Sequence, residues 1–189
     1  AVFQVNDERV EDLGAGLQLV YSVDGRPVPA EVELGAFAGA LGARPVRVGN
    51  AAKDQAQHDT TGAVIDAANL FERFGGTLTL RAWDTLSSIL FTAERTWREP
   101  DQGIWEPRTG RAQHVHSKLM NWLAMDRGAQ LALSFGRTDL CERWSKVAHA
   151  IRQDILANAL ASNGANHFVS LYGGRPDDAD ATLLLLAVH

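Results

Sequence analysis

Apolar residues fall at helical spacing through most of the chain beyond residue 51. Thr61, Val64, Ala68 and Phe71 recur at such intervals, and Gly75-Gly76 follows as a stop. The cleanest amphipathic stripe is Trp83, Leu86, Leu90, Ala93 and Trp97, which Glu99-Pro100-Asp101-Gln102-Gly103 then breaks. A third helix is predicted over 115–134 and a fourth over 138–161. The fourth carries Leu140, Trp144, Val147, Ile151 and Ile155 on one face, and Asn163-Gly164 ends it. Tyr172-Gly173-Gly174-Arg175-Pro176 reads as a turn, and Asp177-Asp178 as acidic residues at the start of a last helix. The apolar run Leu183 to Leu186 needs burial, yet the sequence closes at His189.

Residues 1–57 read differently, being rich in Gly, Pro and Val with few long periodic stretches. Leu17-Gln18-Leu19-Val20-Tyr21 fits a short strand or a helix end. Val23-Asp24-Gly25-Arg26-Pro27-Val28-Pro29 is a turn and loop, and Gly42 to Asn50 is non-helical. The pattern predicts an all-α fold whose loops hold the unusual residues, with an alternation that suggests a helical array.

Composition narrows the class. With 189 residues, 46% hydrophobic and 22% charged, the chain can build one globular domain with a sizeable core. A net charge of −5 argues against a nucleic-acid partner, because phosphate binding wants a basic surface. No run approaches the ~18 apolar residues of a membrane span, and the Ala-Val-Phe-Gln-Val-Asn-Asp start lacks a signal-peptide pattern. The single cysteine, Cys141, falls in a helical segment and reads as a small core side chain. It fits a reducing compartment, and a cytoplasmic location is expected.

The candidate chemistry sits in the loop after the second helix. Gly103-Ile104-Trp105-Glu106-Pro107-Arg108 sets a carboxylate beside an indole, and His116-Ser117-Lys118-Leu119-Met120-Asn121-Trp122 follows it. Sugars present apolar C–H faces that stack on Trp, and hydroxyls that need convergent donors and acceptors. A glycosidic oxygen needs an acid to protonate it as its bond breaks, and an indole that sheds water helps a carboxyl do so near neutral pH. An inverting mechanism also needs a second carboxylate, about 6.5–9.5 Å from the first, to activate water. Equally, Glu106 could be a surface carboxylate in a turn, with Trp105 filling the core. His114 and His116 have no third ligand at a familiar spacing, so no metal is expected, and His116 and Lys118 fit better as donors to sugar hydroxyls. Trp122 fits either the core or a sugar platform. Arg47, Asn50, Gln55, Gln57 and Asp59 could line a polar pocket or solvate a loop. Asp177, Asp178 and Asp180 form an acidic group that helix capping accounts for in part. No phosphate-binding loop, Gly-x-Ser-x-Gly or Cys/His pair is present, and no cofactor is expected.

Several blocks together resemble the catalytic domain of glycoside hydrolase family 15, the glucoamylases and their bacterial trehalase and glucodextranase relatives. They are Leu17-Gln18 through Val23-Asp24-Gly25-Arg26, and Arg44-Pro45-Val46-Arg47-Val48-Gly49-Asn50-Ala51-Ala52 with Gln55, Gln57 and Asp59. Trp97 through Glu106, His116-Ser117-Lys118, Trp122, Asp126-Arg127, Phe168-Val169, Tyr172-Gly173 and Asp180-Ala181 complete them. Their order and spacing cover nearly the whole chain. The resemblance implies an (α/α)6 toroid, here a partial one: an arc of helical hairpins with long loops at one end. It also implies hydrolysis of α-glucosidic bonds with inversion, on trehalose or an α-glucan. Glu106 matches the general acid, Arg47 and Asn50 match the segment lining the glucose pocket, and His116 and Lys118 match a segment facing the site. Trp105 would pack against a sugar ring.

The departures shape further expectations. The family's second glutamate, its general base, has no counterpart in these residues, nor does its Asn-Trp-Asp-Tyr-Arg-type segment. Ser170 and Asn121 stand where the family tends to carry Gln and an apolar or small residue. Residues 1–189 are therefore read as a central portion of one catalytic domain, inactive when isolated. An arc of helices leaves an apolar seam through which self-association is expected. The competing reading is a non-hydrolytic descendant that keeps the scaffold for carbohydrate binding or regulation.

Overall fold

A computed structural model describes residues 17, 19–24, 26, 28–108, 110–161, 167–175 and 177–189. By its internal contacts the chain divides into two compact units, one comprising residues 1–17 and 56–189 and the other residues 18–55. The chain is mostly helical, as its periodicity predicts.

Among the described residues of the larger unit four α-helices follow one another: α1 (Asp59–Arg73), α2 (Leu80–Thr96), α3 (Val115–Ser134) and α4 (Thr138–Asn158). The predicted third helix and the observed α3 share their bounds, while α4 stops short of residue 161. α2 begins where the Thr79 hydroxyl accepts the Ala82 N–H at 3.1 Å, which satisfies one of the free donors of a first turn. Its buried face is Trp83, Leu86, Ile89, Leu90 and Ala93, with Trp97 just beyond its end.

α3 packs most extensively on α4 and α1. It is buried nearly all round, so it lacks the one-sided stripe of its neighbours. At its crossing with α1 the backbones come very close. A Cβ on Gly62 would lie 2.3 Å from the Met120 carbonyl oxygen, so only glycine allows the approach. Between α2 and α4 an aromatic cluster fills the core. Trp83 stacks on Phe135 at 4.7 Å, and Phe91 meets the fully buried Trp144 edge-on at 5.5 Å. Trp122 and Cys141 are partly buried and pack against the same core.

Two sequence expectations need correction. No α-helix begins at residue 51: Ala51–Asp54 is a short 3-10 turn, and α1 starts only at Asp59. The last apolar run forms a 3-10 helix, Ala181–Ala187, capped by Asp180 rather than by Asp177 or Asp178. Leu183 and Leu186 of that run pack on the core, but Leu184 is exposed. The predicted Asn163-Gly164 stop lies outside the described residues. Among the described residues, no helix is long and apolar enough to cross a membrane.

In the smaller unit, Leu19 to Tyr21 are neither strand nor helix, and Val23 and Asp24 form a turn. β1 (Val32–Glu33) and β2 (Arg47–Val48) pair antiparallel, with Glu33 opposite Arg47. The Arg44–Pro45 peptide between them is cis.

Candidate active site

The loop between α2 and α3 is tied at its root. Asp101 and Ala112 exchange both main-chain hydrogen bonds, at 3.0 and 2.8 Å, which brings the two limbs together. Asp101 is almost wholly buried, and one carboxylate oxygen accepts the His58 N–H at 2.9 Å and the Ser117 hydroxyl at 2.7 Å. It thereby joins the loop to the start of α1 and the first turn of α3. Beside it, Gln102 and Ala56 bond twice, each at 2.9 Å, once through backbone and once through the Gln102 side chain. The Asn121 amide donates to the Ser117 carbonyl at 2.7 Å and to the His58 carbonyl at 3.4 Å.

Lys118 completes this root. It is 2% exposed, and its ammonium donates to the carbonyls of Trp97 at 2.5 Å and Glu99 at 3.2 Å. A cation suits that position, where the end of α2 leaves carbonyls without helical partners. Burial nevertheless pushes the Lys118 pKa below the usual lysine range, against the pull of Asp101 and Asp154.

The tip of the loop differs. Gly103 has φ +68°, and its α-carbon lies against the His114 ring, where a Cβ would come within 2.7 Å. The chain then turns through Ile104 and Trp105 to Glu106, whose N–H bonds back to the Gly103 carbonyl at 3.3 Å. Glu106 itself has φ +49°, a left-handed conformation that non-glycine residues adopt at a cost. Its side chain is exposed, and the Trp105 indole is 66% exposed, so Trp105 does not fill the core. The indole N–H donates to Asp180 at 2.6 Å.

His116 and Asp59 are buried, 6% exposed each, with His116 Nδ1 3.9 Å from an Asp59 oxygen. Burial pushes the Asp59 carboxyl up to about 6, helped by the nearby charge of Asp101. Burial also lowers His116, opposed by Asp180 and Asp101. Burial thus disfavours the charged form of both groups. Among the described residues, the other Asp59 oxygen and His116 Nδ1 have no hydrogen-bond partner.

The structure thus brings Trp105, Glu106, His116 and Lys118 into one loop and its adjoining helix. It gives His116 and Lys118 little open surface from which to meet a hydroxyl. Arg47 and Asn50 belong to the smaller unit. Arg47 pairs with Glu31 at 3.1 Å and Glu33 at 3.0 Å, and Asn50 accepts the Ala52 N–H at 2.9 Å to cap the Ala51–Asp54 turn. Sequence reasoning missed the buried role of Asp101, which stood in the string that ends a helix, and the bond from Asp180 to Trp105. A separation of 75 residues leaves no local signal for that bond.

The helical scaffold thus presents an exposed carboxyl and an exposed indole on a loop braced at its root. The sequence signature of Glycosyl hydrolases family 15 matches residues 2–189, and the chain belongs to that family. Among its curated relatives, it is 41% identical to Trehalase 2 of Sulfolobus acidocaldarius over 176 residues, covering 89% of this chain and 29% of the relative. It is 39% identical to a trehalase of Mycobacterium tuberculosis, over 90% of this chain and 25% of that protein. A trehalase of Thermoplasma acidophilum is 35% identical, over 91% and 29%. The chain therefore spans less than a third of the length of these relatives. No solved structure matches it.

Proposed function

We propose that these residues form the general-acid side of an inverting glycosidase that splits trehalose. The observation that carries the reading is the Glu106 carboxyl, held on a left-handed turn beside an open indole, in a chain matched throughout by a glycosyl hydrolase family. Glu106 gives its proton to the glycosidic oxygen as the bond to the anomeric carbon breaks. Water adds to that carbon from the opposite face, and a second carboxylate takes the water's proton, so one trehalose and one water become two glucoses. Trp105 offers its exposed ring to a sugar face.

Lys118 and Asp101 serve this chemistry by bracing the root of the loop. His116 stands 3.9 Å from Asp59 as a polar support. Arg47 and Asn50 remain hydroxyl-orienting residues in this reading, supported by the family membership of the chain. The reading assigns no second carboxylate here, because Asp101 and Asp180 are committed to other bonds and Asp59 is buried. Residues 1–189 alone are thus expected to be inactive.

The test is Glu106→Gln in the natural full-length chain. Glucose release from trehalose should fall by at least ~100-fold, the scale of general-acid catalysis, with the melting temperature unchanged. Activity near that of the parent would overturn the assignment.

A further inference from the structure

A left-handed Glu106 has to be held there. For a non-glycine residue that conformation costs on the order of 1 kcal/mol or more, and it persists only where surrounding bonds enforce it. The turn's own help is slight, a 3.3 Å bond from the Glu106 N–H to Gly103. Packing also does little at this point, because Ile104, Trp105 and Glu106 are all exposed. Yet the Trp105 indole, one residue before the strained position, is tied at 2.6 Å to Asp180.

Asp180 is itself built in. Its Oδ1 accepts the Thr182 N–H and the Thr182 hydroxyl, each at 2.7 Å, which caps the Ala181–Ala187 helix and leaves Oδ2 for the indole. The residues ahead of it are laced to the returning limb of the loop. Val115 donates to the Ser170 carbonyl at 2.9 Å, Tyr172 donates to the Gln113 carbonyl at 3.0 Å, and Ser170 donates to the Asp178 carbonyl at 3.1 Å. Asp180 therefore stands in a frame fixed to the same loop whose tip it grips.

We infer that Asp180 is a positioning residue of the acid loop, whose carboxylate locks the Trp105 indole and so holds Glu106 in the orientation that delivers its proton. The inference rests on the reading of Glu106 as the general acid. Burial alone would raise the Asp180 carboxyl, but hydrogen bonds from Thr182 and Trp105, with His116 nearby, hold it below the usual carboxylate range. It is thus the charged, stronger acceptor at neutral pH. A misplacement of about 1 Å at a reacting group can lower a rate about 100-fold, so a lock on the tip matters even though it touches no substrate.

The experiment is a double-mutant cycle in the natural full-length chain, with Asp180→Asn and Trp105→Phe. Asparagine keeps the Oδ1 cap on Thr182 but turns an amide N–H₂ toward the indole N–H. Asp180→Asn should lower kcat on trehalose by roughly 10-fold or more while KM moves by less than about 3-fold and the melting temperature holds. In the Trp105→Phe background, which has no indole N–H, the same change should cost less than about 2-fold more. An equal loss in both backgrounds would mean that Asp180 does not act through the Trp105 indole, and would overturn the inference. The indole N–H resonance of Trp105, assigned by its loss in Trp105→Phe, gives a readout free of turnover. It should move upfield and exchange faster with solvent in Asp180→Asn. Should Glu106→Gln remain active on trehalose, the reading of Glu106 fails. The lock is then judged by this resonance alone, and an unchanged signal overturns it.

Discussion

Trp144 and Trp105 are held in opposite ways. Trp144 is sealed between α2 and α4, fully buried, with Phe91 edge-on at 5.5 Å and Trp83 tilted at 6.0 Å. Trp105 stands 66% exposed on the loop between α2 and α3, tied through one polar atom to Asp180. The first region owes its order to many weak, non-directional contacts that add up. The second owes its order to a few directional bonds among Asp101, Ser117, Lys118 and Asp180. In the natural full-length chain, damage to the aromatic core should therefore appear as lost stability, and damage to the loop as lost turnover in a protein that still folds.

The largest effect expected in the core comes from Trp144→Ala. The cavity should lower stability by about 3–5 kcal/mol, read by denaturant unfolding, while the fraction still folded keeps its kcat. A loss of kcat larger than the loss of folded protein would break the contrast.

Asp101→Ala comes next. It leaves the buried His58 N–H and Ser117 hydroxyl without their acceptor, which should cost roughly 2–3 kcal/mol. Trehalose turnover by the folded protein should fall by about 10-fold or more, because the loop loses its root. An unchanged kcat would show that the tip does not depend on that root.

Asp59→Asn comes last because its effect falls on stability alone, with turnover unchanged, and it depends on pH. The native Asp59 carboxyl binds its proton more tightly than an unfolded one, with its pKa raised from 3.8 to about 6. Between those values the folded state holds more protons than the unfolded, so this group's contribution to stability falls as pH rises from 4 to 6 and stays low above that. The full penalty is on the order of 3 kcal/mol at neutral pH, and Asn escapes it. The melting temperature of Asp59→Asn, relative to the parent, should rise between pH 4 and pH 7 and match it near pH 4. A difference constant across that range would contradict the assigned shift.

The same contrast explains what could be read from the sequence. The stripe from Trp83 to Trp97 and the face from Leu140 to Ile155 repeat with the helical period, so α2 and α4 are visible in the order of residues alone. Glu106 and Trp105 stand out in the sequence as candidate chemistry, since a carboxylate beside an indole in a helix-breaking loop is unusual. The smaller unit was visible mainly as an absence of period. The bonds that hold the loop could not be read. Asp101 contacts His58 and Ser117 across 43 and 16 residues, and no spacing rule links such positions. Lys118 looked like a surface donor because lysine is seldom buried, and only the carbonyls at the end of α2 explain why it is. The cap at Asp180 is one of three candidates in the sequence, because Asp177 and Asp178 offer the same chemistry a few residues earlier.

The central claim is that Glu106 supplies the proton to the leaving oxygen. The most direct measurement compares Glu106→Gln with the parent, as natural full-length chains, on trehalose and on α-glucosyl fluoride, whose leaving group needs far less protonation. The account predicts a loss of at least ~100-fold on trehalose and a much smaller loss on the fluoride. Equal losses on both substrates, or no loss on trehalose, would contradict it.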